Sequence, residues 1–287
     1  MKPVELYERI GYKKLMVVSL VILAACLASL VFRYHSTGEF FSKGVDLQGG
    51  IQLSIDTNQS VDSSSLESYL KPIFGDVAVR TTTSIGGNSV LIMAGEEVDE
   101  DSLLSEVQKY GLDTTTYSFE KIEASLGESF FVQSRTAITV AFLFMGAVVF
   151  IIFRKPVPSF AVILCAFSDI VSTIAAMNLF GISLSLASFA ALLLVIGYSV
   201  DTDILLTTKM VKRNDIPMEE RISGAFKTGI TMTMTTLVAL SALYLVSGAT
   251  AIGDITSVLI IALLFDLPYT WLTNMGIVRW WVEKRSD

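Results

Sequence analysis

Four aspartates stand inside long apolar stretches of this sequence: Asp169, Asp201, Asp203 and Asp266. A carboxylate near the centre of a bilayer costs at least about 2.5–3.5 kcal/mol on insertion scales, so each calls for a compensating role. One such role is to carry a proton or small cation. Another is to join two helices by a hydrogen bond, or to sit close enough to the membrane surface to be wet. Asp266 precedes Leu267 and Pro268, so a kinked, packed helix end accounts for it equally well. Asp201 and Asp203 are two positions, about 200°, apart on a helix and cannot share a face. Asp201 shares its face with Gly197, Tyr198 and Leu205. Further on, Lys227, Thr231 and Thr235 are spaced by four and line one face. Packed together, the two faces would form a seam of carboxylate, amine and hydroxyls, able to hold Asp201 in either protonation state. Alternatively, Lys227 merely flanks its helix, and the threonines bond their own backbone. The expected carrier is Asp201 with Lys227 as modulator, and Asp169 and Asp203 stand behind them.

These residues lie on elements read from hydropathy. The mean hydropathy is +0.60. Hydrophobic residues make up 52% of the chain, and charge is nearly absent from six runs, at 15–32, 137–153, 158–178, 184–208, 228–247 and 252–277. Each is about long enough to cross a bilayer, which needs roughly 20 apolar residues. The N-terminus, the 154–155 turn, the 209–227 segment and the C-terminus hold 14 of the 21 Lys and Arg, which assigns them to the cytoplasmic side. Segment 33–134 carries 6 Lys/Arg against 16 Asp/Glu and is assigned to the outside. Both termini are therefore expected in the cytoplasm, with Trp280 and Trp281 as an interfacial anchor. Leu23-Ala24-Ala25-Cys26 has the look of a lipoprotein cleavage box, but the apolar run continues beyond Cys26, which favours a spanning helix.

Residues 38–131 read as a βαββαβ unit. Segment 51–57 alternates as a half-buried strand. A helix over 62–73 follows, with Asp62 as N-cap and Leu66, Tyr69, Leu70 and Ile73 on one face. Strands at 77–84 and 89–94 form a hairpin about Gly86-Gly87-Asn88. A second helix spans 99–110 and ends at Gly111, and the last strand is 114–122. This order is that of the split βαβ, ferredoxin-like unit. The fold class is thus an α-helical integral membrane protein of six transmembrane helices, with an extracytoplasmic α+β ferredoxin-like domain between helices 1 and 2. The expected divisions are 1–33, 34–134 and 135–287.

Several function classes are disfavoured. His35 is the single histidine, and Cys26 and Cys165 lie in separate apolar runs, so neither a histidine dyad, a metal site nor a disulfide is expected. The net charge of −7 argues against a nucleic-acid partner. No enzymatic activity and no cofactor are expected.

In this frame the sequence resembles the SecF family of protein-export membrane proteins, most closely the archaeal type. Gly44-Val45-Asp46-Leu47-Gln48-Gly49-Gly50 resembles the motif that opens the outer domain. Ser168-Asp169 resembles a His-Asp pair of helix three, with Ser168 in place of His. Gly197-Tyr198-Ser199-Val200-Asp201-Thr202-Asp203 resembles the helix-four signature. Segments 227–231 and 235–237 resemble helix five. The sequence departs from the bacterial form, whose helix-four acid aligns with Thr202, and whose arginine stands where Lys227 is. A lysine keeps the charge but loses the planar fork. Asp201 instead matches the acid of the SecD pattern Val-Asp-Ala-Asn. The resemblance implies a multi-pass protein of the cytoplasmic membrane, in contact with lipid and in complex with SecD and the Sec translocon. It implies action on exported polypeptide, with the proton gradient as the source of drive. It also implies membership of the resistance-nodulation-division superfamily. The alternatives are a small-molecule or lipid exporter of that superfamily and a passive membrane scaffold or chaperone.

Overall fold

The structure is a computed structural model that describes residues 11–57, 59–84, 87–212, 216–247 and 250–286. Helix α1 spans Tyr12–Thr37 and closes on Gly38, whose φ of 77° fits the left-handed cap. Its 26 residues reach about 39 Å, more than the roughly 30 Å hydrocarbon layer. A short helix α2 (Val45–Gln48) leads into an α/β unit. That unit comprises β1 (Gly50–Thr57), α3 (Ser63–Phe74), β2 (Val77–Ser84), β3 (Gly87–Ala94), α4 (Glu100–Tyr110) and β4 (Tyr117–Ile122). Then follow α5 (Ala124–Phe153), α6 (Pro156–Leu179), α7 (Leu186–Lys212), α8 (Met218–Ser247) and α9 (Ala251–Pro268). A π-helical turn at Tyr269–Asn274 passes into α10 (Met275–Ser286). Among the described residues six helical rods are long and apolar enough to cross a membrane: α1, α5, α6, α7, α8 and the compound rod from α9 to α10.

The sheet has the order β2-β3-β1-β4, with all neighbours antiparallel. Register places Leu53 opposite Ile92 and Phe119, and Val79 opposite Ile92. This puts Ile51, Leu53, Ile55, Val79, Val90 and Ile92 into one core with Leu66 and Leu70 of α3 and Leu103 and Val107 of α4. The side chains of Asp62 and Asp99 accept from backbone N–H groups in the first turns of α3 and α4. Tyr69 and Ile73, expected beside Leu66, are exposed, because the buried stripe of α3 is narrower than the full apolar face. Gly86 of the expected hairpin turn lies outside the described residues.

The α/β unit is fastened to the helical bundle through α2. Gly44 N–H donates to the Leu184 carbonyl at 2.7 Å, and Leu184 N–H donates to the Ser42 carbonyl at 2.7 Å. Gly49 (φ 81°) lies so close to α5 that a Cβ there would stand 2.4 Å from Ala124 Cα. Gly127 returns the contact, since its Cβ would lie 2.7 Å from Gly49 N. At this crossing both glycines are required by space, and Gly49 by its φ as well.

Candidate functional site: a buried carboxylate cluster

Three of the four membrane aspartates meet inside the bundle. Asp169 of α6 and Asp203 of α7 are 0% exposed and Asp266 of α9 is 1% exposed, so water does not hydrate them in this arrangement. Asp203 Oδ1 accepts from Asn274 Nδ2 at 2.7 Å and from Thr270 Oγ1 at 2.9 Å. The same Thr270 hydroxyl lies 3.1 Å from Asp266 Oδ1. The Ser199 hydroxyl donates to Asp169 Oδ2 and also sits beside the Asp266 carboxyl. Thr207 Oγ1 extends the chain, accepting from Asn274 Nδ2 at 3.2 Å. Asp169 Oδ1, Asp203 Oδ2 and Asp266 Oδ2 have no hydrogen-bond partner among the described residues. Among the described residues no Lys, Arg or His forms an ion pair with any of the three.

The local sequence explains how the groups converge. Ser199, Asp203 and Thr207 are spaced by four and share one face of α7. Asp266, Thr270 and Asn274 repeat that spacing on the sixth rod. Pro268 has no N–H for the Leu264 carbonyl, and the backbone ladder widens into a π turn just after it. Within that turn Thr270 and Asn274 meet α7, while Trp271 packs on α8. A Cβ on Gly229 of α8 would lie 2.5 Å from Trp271 Cζ2 and 3.1 Å from Thr202 Cγ2, so only glycine admits this approach. A second ring of polar contacts surrounds the acids. Ser172 Oγ meets Tyr269 Oη at 2.6 Å, Ser19 Oγ meets Thr273 Oγ1 at 2.6 Å, and the Cys165 thiol lies 3.3 Å from the Tyr269 carbonyl.

A hydroxyl between two carboxyl oxygens has one proton to give. Thr270 donates to one acid and can accept only from a protonated partner on the other side. Such an arrangement is chemically able to share a proton between carboxyls. Among the described residues no group of three His, Cys, Asp or Glu is placed to hold a metal ion.

The expected seam between Asp201 and Lys227 is not formed. Asp201, Lys227, Thr231 and Thr235 are all exposed. The threonines donate to their own helix, Thr231 to the Lys227 carbonyl at 2.7 Å and Thr235 to the Thr231 carbonyl at 3.0 Å. The reason is rotational. Helix α7 meets α8 through Thr202 and Gly229, which turns the neighbouring Asp201 away from that contact. Asp203, on the opposite side, is turned into the bundle. Asp266 lies at an irregular, packed helix end, and the turn beyond Pro268 supplies its partner Thr270.

Comparison with known proteins places the chain. The family described as protein export membrane protein SecD/SecF, C-terminal, matches residues 102–284. The protein-export membrane protein SecF of Methanothermobacter thermautotrophicus is 41% identical over 293 residues, which cover 100% of this chain and 99% of that protein. The chain belongs to the SecF family. SecF of Pyrococcus furiosus is 40% identical over 279 residues, covering 96% of this chain and 92% of its own. The crystal structure of SecDF from Thermus thermophilus, a translocon-associated membrane protein, shares the fold with a TM-score of 0.73 at 17% identity. That match covers 94% of this chain, which spans 38% of the SecDF chain.

The SecF motif residues fall in three places. Gly44, Asp46, Gly49 and Gly50 build the joint between the α/β unit and the bundle, where Asp46 Oδ2 accepts from Leu186 N at 3.0 Å. Ser199 belongs to the cluster. Gly197 and Tyr198 are exposed beside Asp201, and a Cβ on Gly197 would meet nothing within 4 Å. Thr270 and Asn274 were not singled out from sequence. The four-residue spacing from Asp266 through an apolar run was the available signal.

Proposed function

We propose that the protein is the SecF-type accessory subunit of Sec-dependent export, that it works with SecD, and that proton exchange at Asp169, Asp203 and Asp266 supplies the drive. The observation that carries the drive is a set of three hydrogen-bonded carboxyls, buried together with no ion-pair partner among the described residues. Three unpaired negative charges are not sustained in such an interior, so the cluster holds protons and can exchange them. The membrane potential is worth about 2.3 kcal/mol per charge per 100 mV, roughly fifty-fold in an equilibrium for each proton.

The remaining assignments belong to the same proposal. Both termini face the cytoplasm, supported by the Lys and Arg distribution. The α/β unit lies outside and meets the exported polypeptide. Its strand order, read backwards as β4-β1-β3-β2 with two helices, supports the ferredoxin-like assignment. Gly197, Tyr198 and Asp201 on α7, and Lys227, Thr231 and Thr235 on α8, are exposed within spanning helices. A second polar chain best covers these residues, and SecD is the partner we assign to them. Apolar side chains such as Val21, Phe144 and Ile151 are exposed towards lipid. The role is mechanical and involves no catalysis.

The test is export into membrane vesicles containing the native complex, with and without a proton gradient. Wild type is expected to show gradient-stimulated export and Asp203→Asn to lose the stimulated part. Equal stimulation in both would defeat the proton role.

A further inference from the structure

The α/β unit meets the bundle at the α2–α5 crossing, at the backbone bridge of Lys43 with Leu184, and where β2 approaches α8. Beneath its sheet lie two cavities of about 1040 Å³ and 410 Å³, and Arg80 of β2 lines both. With so much of that interface hollow, force between unit and bundle passes through discrete contacts. Two of these involve charged groups. Asp46 of α2 accepts from the backbone N–H of Leu186, the first residue of α7, at 3.0 Å. Its carboxylate thereby occupies the positive end of that helix. Arg80 Nη1 lies 3.5 Å from Asp254 Oδ1 in the first turn of α9. The charged groups facing Asp254 are Arg80 from β2 and Asp46 from α2.

The two helices gripped in this way each carry an acid of the buried cluster. From Leu186 to Asp203 is about 25 Å along α7, and from Asp254 to Asp266 about 18 Å along α9. Above the cluster the helices pack through Leu192 and Val195 against Val258, Leu259 and Ala262; at the cluster Thr270 contacts both Asp203 and Asp266, with Asn274 beside it on Asp203. Protonation alters how many donors those carboxyls require, and hence how closely Thr270 holds the rods together. Helices are stiff over this length, so a change of tilt at the cluster is delivered at Leu186 and Asp254.

We propose that Asp46 and the Arg80–Asp254 pair form a two-point clamp through which the α/β unit reads the relative tilt of α7 and α9. Asp46 is a positioning residue in this account, and the clamp rests on the proton reading of the cluster given above. Its action differs from simple docking in one respect: cutting it leaves proton exchange intact and abolishes the movement of the unit.

The experiment uses the full complex in vesicles, with a distance label on exposed Ser68 of α3 and a second label on a spanning helix. Infrared difference spectra of the carboxyl region follow the cluster in parallel. In wild type both signals are expected to respond to the gradient. In Arg80→Ala/Asp46→Ala the carboxyl response persists and the distance response is lost. Asp46→Asn keeps an acceptor for Leu186 N–H, and the swap Arg80→Asp/Asp254→Arg keeps the pair. These two variants are expected to regain the distance response, and they guard against loss of fold as the explanation. A distance response that survives in the double alanine variant overturns the clamp while leaving the proton reading in place. Absence of any carboxyl response in wild type defeats the proton reading, and the clamp with it.

Discussion

Asp201 and Asp203 differ by two positions and live in opposite environments. Asp203 has no exposed surface and accepts from Thr270 and Asn274 at Oδ1, while Asp201 is exposed beside Gly197 and Tyr198. The same contrast holds between neighbouring rods. The sixth rod turns its polar side chains inward, whereas α8 leaves Thr231 and Thr235 on its open face to bond their own backbone. One helix thus presents two faces separated by about 200°, which the proposed function assigns to proton exchange inside and to a partner chain outside. Type of residue does not distinguish the tasks, and orientation does.

Substitutions on the two faces should separate them. The largest effect is expected inside: Asp169→Asn and Asp266→Asn should each lose most of the gradient-stimulated export measured in vesicles, while Asp201→Asn retains the proton response. Next comes packing. Gly229→Val places atoms against Trp271 and Thr202, and overpacking of this kind costs about 1–3 kcal/mol. A thermal unfolding series in detergent would read it. Thr270→Val removes the hydroxyl between two buried acids, and leaving such groups short of a partner costs about 1–3 kcal/mol. The same assay compares the two. On the outer face, Asp201→Asn should leave the isolated chain within about 0.5 kcal/mol of wild type, yet weaken its recovery with a partner chain on affinity purification.

The smallest effect concerns the α/β unit. The Lys71 ammonium, with a backbone N–H from Val79, holds the Glu67 carboxyl below its ordinary value. Hydrogen bonds from Ser65 and Ser64 do the same for Asp62. A depressed carboxyl contributes stability above its unfolded value and loses it as pH falls through the folded one. Denaturation followed by a probe on this unit should therefore show weaker resistance in acid, by a margin that Glu67→Gln reduces.

The spanning rods were legible in the sequence because lipid leaves hydrophobic length as the governing signal. The opposed directions of Asp201 and Asp203 were legible too, since helical geometry alone sets them 200° apart. Which direction was inward was not. That depends on how α7 packs between α6 and the sixth rod, and on Gly229 admitting Trp271, and neither is local. Lys227 with its threonine ladder looked like the natural companion of a carboxylate, but the ladder's hydroxyls are spent on i−4 carbonyls. Asp46 was visible as part of a motif, while its contact with Leu186 lies 140 residues away and carries no sequence signal. Thr270 and Asn274 were readable in principle from their spacing after Asp266, and became important only with the π turn beyond Pro268.

The most direct test of the division between faces is a carboxyl-region infrared difference spectrum of the membrane-embedded complex, taken across a pH step. Protonated-carboxyl bands are expected that change in Asp169→Asn, Asp203→Asn and Asp266→Asn and stay as in wild type in Asp201→Asn. Bands that persist in all three interior variants and vanish in Asp201→Asn would contradict the account.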